Sequence, residues 1–189
     1  MAAQATPPDL DLTRRDGLPD ALRVLSEAYP RQTWRGHENF NEMIRFWVDR
    51  HMMFRQLSEI LRKDVERYLD GETAFDDYAP RLSHYGATLL NELHGHHHIE
   101  DHHYFPRLIQ LDARLEKGFD LLEADHGAMD GLLHEMAEGA NMVLEGGANG
   151  AAAGPFLERL QRFSGLLERH LTDEEEIVVP VVLHTGFRG

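Results

Sequence analysis

From about Gly36 to Asp70, Phe40, Ile44, Trp47, His51, Phe54 and Leu61 recur with the spacing of one helical face, and Gly71 follows as a C-terminal stop. Asp76, Asp77 and Pro80 then supply start signals for a second helix. It runs through Leu89, Leu93, His96 and Glu100 to a kink or end near Pro106. A third seam joins Leu122, His126, Met129, Leu133, Met136 and Val143, and ends near Leu144 before a Gly/Ala/Asn linker from Gly146 to Gly154. The fourth, opened by Pro155, joins Phe156, Leu160, Phe163, Leu167, His170, Glu174, Ile177 and Val181, with an interruption at Pro180. Strand signals are nearly absent, the best being the short run from Ile177 to Leu183.

Four long amphipathic helices with short connections predict an all-α, up-down four-helix bundle over residues 36–182. Residues 1–35 form an N-terminal region, with a mobile arm to residue 18 and room for one short helix from Pro19 to Tyr29 before Pro30. Residues 183–189 form a C-terminal tail.

The seams are not wholly apolar. Each of the four carries a histidine, and on the second and fourth a glutamate follows four residues later: His96 with Glu100, and His170 with Glu174. Residues four apart share a helical face and lie roughly 6 Å apart along the axis, so each pair can present a nitrogen and an oxygen to one point. A lone seam histidine is most simply a hydrogen-bonded core residue. Four of them beside two carboxylates make an expensive core unless cations satisfy their lone pairs together.

An internal repeat reinforces the pattern. His51 and His126 are 75 residues apart, while His96 and His170, Glu100 and Glu174, and Pro106 and Pro180 are each 74 apart.

With these residues in place, the chain resembles the hemerythrin-like (HHE cation-binding) family over roughly Gly36 to Pro180. That family's bundles bind two irons. Its pattern has a histidine on the first helix, HxxxE on the second, a histidine on the third and a histidine with a carboxylate on the fourth. The resemblance implies His51, His96, Glu100, His126, His170 and Glu174 as ligands, both glutamates bridging; the seam positions select the same six. The invertebrate oxygen carriers of the family differ, with HxxxH on the third helix and a five-residue step to aspartate on the fourth. Here the third offers His126 and Asp130, and the fourth offers HxxxE.

Thirteen histidines are present, six of them between His94 and His103. Among the remainder, His97 and His103, with Asp130, are candidates for additional ligands or for orienting a ligand. His37, His84, His94 and His184 suit surface or capping roles. His134 is two turns beyond His126, too far for the same cation. Glu175 and Glu176 read as a solvated acidic run, with Glu175 able to orient a neighbouring imidazole.

Composition narrows the chemistry. A formal charge of −14 among 189 residues repels nucleic acid and anionic membrane, and favours a cation. The absence of cysteine excludes thiolate sites, iron–sulfur clusters and cysteine nucleophiles. Neither a secretory signal nor a bilayer-spanning run is visible, which makes the cytoplasm the default location. Nitrogen and carboxylate donors suit iron, manganese or zinc, and the resemblance selects two irons.

The leading reading is therefore a non-enzymatic di-iron protein that binds dioxygen or a similar small diatomic or peroxide ligand in sensing, storage or an iron or oxygen response. Alternatives are a di-iron enzyme acting on dioxygen, peroxide or nitric oxide, and a ferritin-like di-iron carboxylate oxidase. The latter rests on the ExxH steps Glu100 to His103 and Glu123 to His126. Haem ligation and a bundle whose histidines only hydrogen-bond complete the set.

Overall fold

The computed structural model describes residues 10–23 and 25–189, and among these there is no strand. Four long helices and one short one account for most of the chain: α1 (Glu42–Leu69), α2 (Phe75–Ile99), α3 (Phe105–Ile109), α4 (Glu116–Gly146) and α5 (Ala153–Thr185). Asn41 caps α1, its side-chain oxygen accepting from the backbone of Met43 and Ile44, two of the N–H groups that no helical carbonyl can reach. At the other end, Gly71 adopts φ +73°, a left-handed conformation that ends the helix without a Cβ clash. No helix of the described residues is long and apolar enough to cross a membrane.

The long helices pack in a ring: α1 touches α2 and α5, and α4 touches α2 and α5. Gly139 lets α4 approach α5 closely, since a Cβ there would lie 3.0 Å from the Phe156 ring.

Two apolar clusters fill the interior. One contains Phe54, Leu61, Leu93, Met129, Phe163 and Leu167; the other contains Trp47, Phe105, Leu122, Ile177, Val181 and Leu183. Along every long helix the buried histidines and glutamates fall between them. On α1, for example, His51 lies between Trp47 and Phe54, and on α4 His126 lies between Leu122 and Met129. A polar layer thus lies between two apolar clusters.

Three details depart from the sequence reading. The run from Ile177 to Leu183 is helical, and α5 passes through Pro180 without ending. Between α2 and α3, residues Glu100–Tyr104 form one wide π-helical turn, in which the Phe105 N–H donates to the Glu100 carbonyl five residues back. Pro106 has no N–H to continue the α-pattern, and the chain opens just before it. Among the described residues from Pro19 to Tyr29 there is a 3-10 turn at Asp20–Leu22 followed by irregular turns, and no α-helix.

The first nine residues of the expected arm lie outside the described residues. The remainder of that arm is packed on the bundle, with Leu12, Arg15 and Leu18 buried.

Candidate metal centre

Each of the four long helices sends a buried histidine into the polar layer: His51 from α1, His97 from α2, His126 from α4 and His170 from α5. Glu100 and Glu174 are also buried, and His96 stands at the edge of the layer with one-tenth of its side chain exposed. Two groups of donor atoms result. His51, His96, Glu100 and Glu174 form one; His97, His126 and His170 form the other; within each group the donor atoms all lie within 4.8 Å of one another.

The glutamates join the two groups. Glu100 Oε1 lies 2.8 Å from His96 Nε2 without hydrogen-bond geometry, while its Oε2 lies 3.6 Å from His126 Nε2. Glu174 Oε2 lies 3.5 Å from Nε2 of both His51 and His170, and its Oε1 accepts from the Trp47 indole at 2.5 Å. His51 Nε2 and His96 Nε2 face each other at 3.1 Å.

The outer ring nitrogens are anchored differently. His51 Nδ1 donates to Glu175 at 3.0 Å, His126 Nδ1 to Asp101 at 2.7 Å and His170 Nδ1 to Asp125 at 3.4 Å. An ionised carboxylate only accepts, so Nδ1 carries a proton, and in the neutral ring the Nε2 lone pair points inward. Two of those acids are themselves held. Arg55 donates to Glu175 at 2.8 Å and Arg31 pairs with its other oxygen, while Arg15 pairs with both Asp125 and Asp173.

Much of the inward face lacks a hydrogen-bond partner among the described residues. Both ring nitrogens of His97, both oxygens of Glu100, Nε2 of His126 and of His170, and Oε2 of Glu174 are buried and receive no hydrogen bond. Each such group ordinarily costs about 1–3 kcal/mol when left unsatisfied, and buried polar groups of a native protein are nearly always paired. Imidazole nitrogens and carboxylate oxygens without thiolate are the donor set of a first-row transition metal, so the residues fit a bound cation.

Electrostatics of the metal-free chain follow from crowding. Burial lowers His96 to about 3, reinforced by the neighbouring imidazoles although Glu174 opposes it, and burial likewise pushes His97 far down and His170 down. For His51 burial acts in the same sense, but Glu174 and Glu175 outweigh it and the ring is raised. Burial and then the charge of Glu174 raise Glu100 well above the carboxylate range. Glu174 is held well below that range, because His51, His96 and His170 together outweigh its burial. Of the two central carboxylates, Glu100 is therefore the one that holds a proton more readily in the metal-free chain.

An open cleft of about 470 Å³ lies between α1 and α2, lined by Met43, Phe46, Trp47 and Ile99, with His96 and Glu100 on its wall. It connects the polar layer with the surface. A second cavity of about 490 Å³, lined by Asp20, Tyr29, Trp34 and Glu176, involves none of the clustered imidazoles.

All six of the principal residues anticipated from the seams meet in this layer, and His97 joins them as a fully buried member. Asp130 and His103 do not: both are exposed, and Asp130 pairs at the surface with His94 at 3.4 Å. Glu123 is exposed as well, so each ExxH step of the ferritin-like alternative brings only one of its two residues into the interior, Glu100 in one and His126 in the other. Glu175, read as part of a solvated run, is buried against His51 and two arginines. Arg15 and Asp125 escaped the sequence reading. Asp125 adjoins His126 and Arg15 carries no periodic signal, so only the fold relates them.

The family model described as the Hemerythrin HHE cation binding domain matches residues 42–182. No curated protein and no solved structure matches the chain.

Proposed function

Because the chain belongs to the hemerythrin HHE cation-binding domain family, we propose that its polar layer holds two irons on His51, His96, Glu100, His126, His170 and Glu174. On this reading the helices run up and down in turn, and the protein binds dioxygen or a similar small ligand in sensing, storage or an iron or oxygen response. One observation carries it: the rings of His51, His126 and His170 are fixed from outside by carboxylates, while Nε2 of His126 and of His170, both oxygens of Glu100 and Oε2 of Glu174 converge inward with no hydrogen-bond partner among the described residues.

A pair of irons supplies a change of oxidation state and exchangeable positions for an exogenous ligand. The chain supplies the rest. Four imidazoles and two shared carboxylates fill about eight of the roughly twelve positions that two octahedral metals need. The apolar clusters above and below keep bulk water out. The cleft between α1 and α2 admits a small molecule to the His96 and Glu100 edge.

The same cleft favours a second reading, a di-iron enzyme acting on dioxygen, peroxide or nitric oxide, because its volume exceeds what a diatomic requires. Steady turnover of one of these oxidants with a chosen reductant distinguishes it. For the main reading, the chain is loaded with ferrous iron under nitrogen and then exposed to air. Oxo-bridge absorption bands that disappear on reduction are expected; their absence contradicts the proposal.

A further inference from the structure

His97 does more than fill space beside the six residues assigned above. We propose that His97 is a seventh protein ligand, so that one cation is held by three imidazoles (His97, His126, His170) and the other by two (His51, His96). The inference rests on the two-metal reading and adds to it an inequality between the metals.

Helical geometry explains how neighbouring residues can serve different metals. Successive side chains are about 100° apart around a helix, so His96 and His97 diverge. His96 meets His51 of α1 edge-on with ring centroids 5.1 Å apart, whereas His97 lies over His126 of α4 at 4.0 Å and edge-on to His170 of α5 at 5.1 Å. Glu100 is four residues from one and three from the other, on the face that both share. This is where a carboxylate that reaches both groups must stand.

The internal repeat gives the second argument. The 74-residue offset that superimposes His96 on His170 places His97 on Leu171, which is fully buried in the apolar cluster. Packing at this position is thus met by leucine in one half of the chain. In the other half an imidazole stands there, 3% exposed, with both ring nitrogens lacking a hydrogen-bond partner among the described residues. A neutral imidazole has one donor and one acceptor to satisfy, and stacking on His126 satisfies neither. Its donor nitrogen lies within 4.8 Å of those of His126 and His170, the same spacing that defines the group around His51.

The test uses the full chain loaded anaerobically with 57Fe(II), as wild type and as His97→Leu, the residue that the repeat places at the matching position. Wild type is expected to hold two irons per chain in two distinct Mössbauer doublets of equal area. In His97→Leu, one iron should bind at least tenfold more weakly and its doublet should change, while the other doublet is kept. If wild type holds two irons and His97→Leu binds both with unchanged affinity and spectrum, the proposal is overturned. Should wild type fail to take up two irons, the two-metal reading fails instead. Where His97→Leu does not fold, a crystal structure of iron-loaded wild type decides, by whether a His97 ring nitrogen is at coordination distance.

Discussion

Arg15 donates from Nη1 to Asp125 Oδ1 at 2.7 Å across 110 residues of sequence, and Asp125 in turn accepts from His170. The pair is buried and shared with Asp173, so the N-terminal segment is tied to an imidazole of the metal layer. Arg15→Met removes the guanidinium that two buried carboxylates share, leaving Asp125 with His170 alone. Such a loss costs about 3–5 kcal/mol, on the order of 10 °C in melting temperature for a chain of this size. Thermal unfolding of the metal-free protein should show that drop, and iron uptake should weaken as His170 loses its orientation.

Asp101 fixes the ring of His126 from outside the layer. Asp101→Asn keeps the size and one acceptor oxygen but removes the charge that favours the Nδ1–H form. Loss of such a partner typically lowers metal affinity about 10–100-fold. A competition titration against a chelator should find a change in that range, with circular dichroism unaltered.

Protons and cations compete for the layer. Glu100 is raised above its ordinary 4.5 and His51 above its ordinary 6.5, so at these two groups the folded metal-free chain binds more protons than the unfolded chain, whereas His96, His97 and His170, lowered from 6.5, and Glu174, lowered from 4.5, bind fewer. By linkage, the contribution of Glu100 is lost as pH rises above 4.5 through its folded value, and that of His51 as pH rises above 6.5 through its own. The metal-free melting temperature should therefore rise toward pH 6.5, as the unfolded chain gives up the protons of His96, His97 and His170, and fall across the window above it, as Glu100 and His51 lose theirs. Iron binding requires those protons to leave, so affinity should rise over the same window and uptake in weak buffer should acidify the solution. A pH-independent affinity contradicts this.

Exposed acids and histidines serve as controls. Glu123→Ala, His103→Ala and Asp130→Ala should leave iron content at the wild-type level and stability within about 0.5 kcal/mol. Loss of iron in Glu123→Ala would revive the ferritin-like alternative.

The four seams and the six principal residues could be read from spacing because a helix repeats its face every three or four positions, and polar residues on that face stand out. The end of α5 was harder. From Ile177 to Leu183 every residue is buried, enclosed by the N-terminal segment through Leu18, Leu22 and Trp34. A helix covered on all sides has no polar face, and its continuous apolar run resembles a strand. Glu175 looked solvated for a related reason: its burial depends on Arg31 and Arg55, which approach from other parts of the chain. His97 sat in a run of histidines whose members differ only by rotation. The wide turn at Glu100–Tyr104, which sets Asp101 beside His126, left no mark beyond Pro106.

The central claim is tested most directly by equilibrium titration of the purified chain with ferrous iron under nitrogen, beside a Glu100→Ala, His170→Ala double variant of verified fold. Saturation at two irons per wild-type chain, and failure of the double variant to reach that level, is the predicted result. No saturable uptake by wild type, or equal uptake by both proteins, would contradict it.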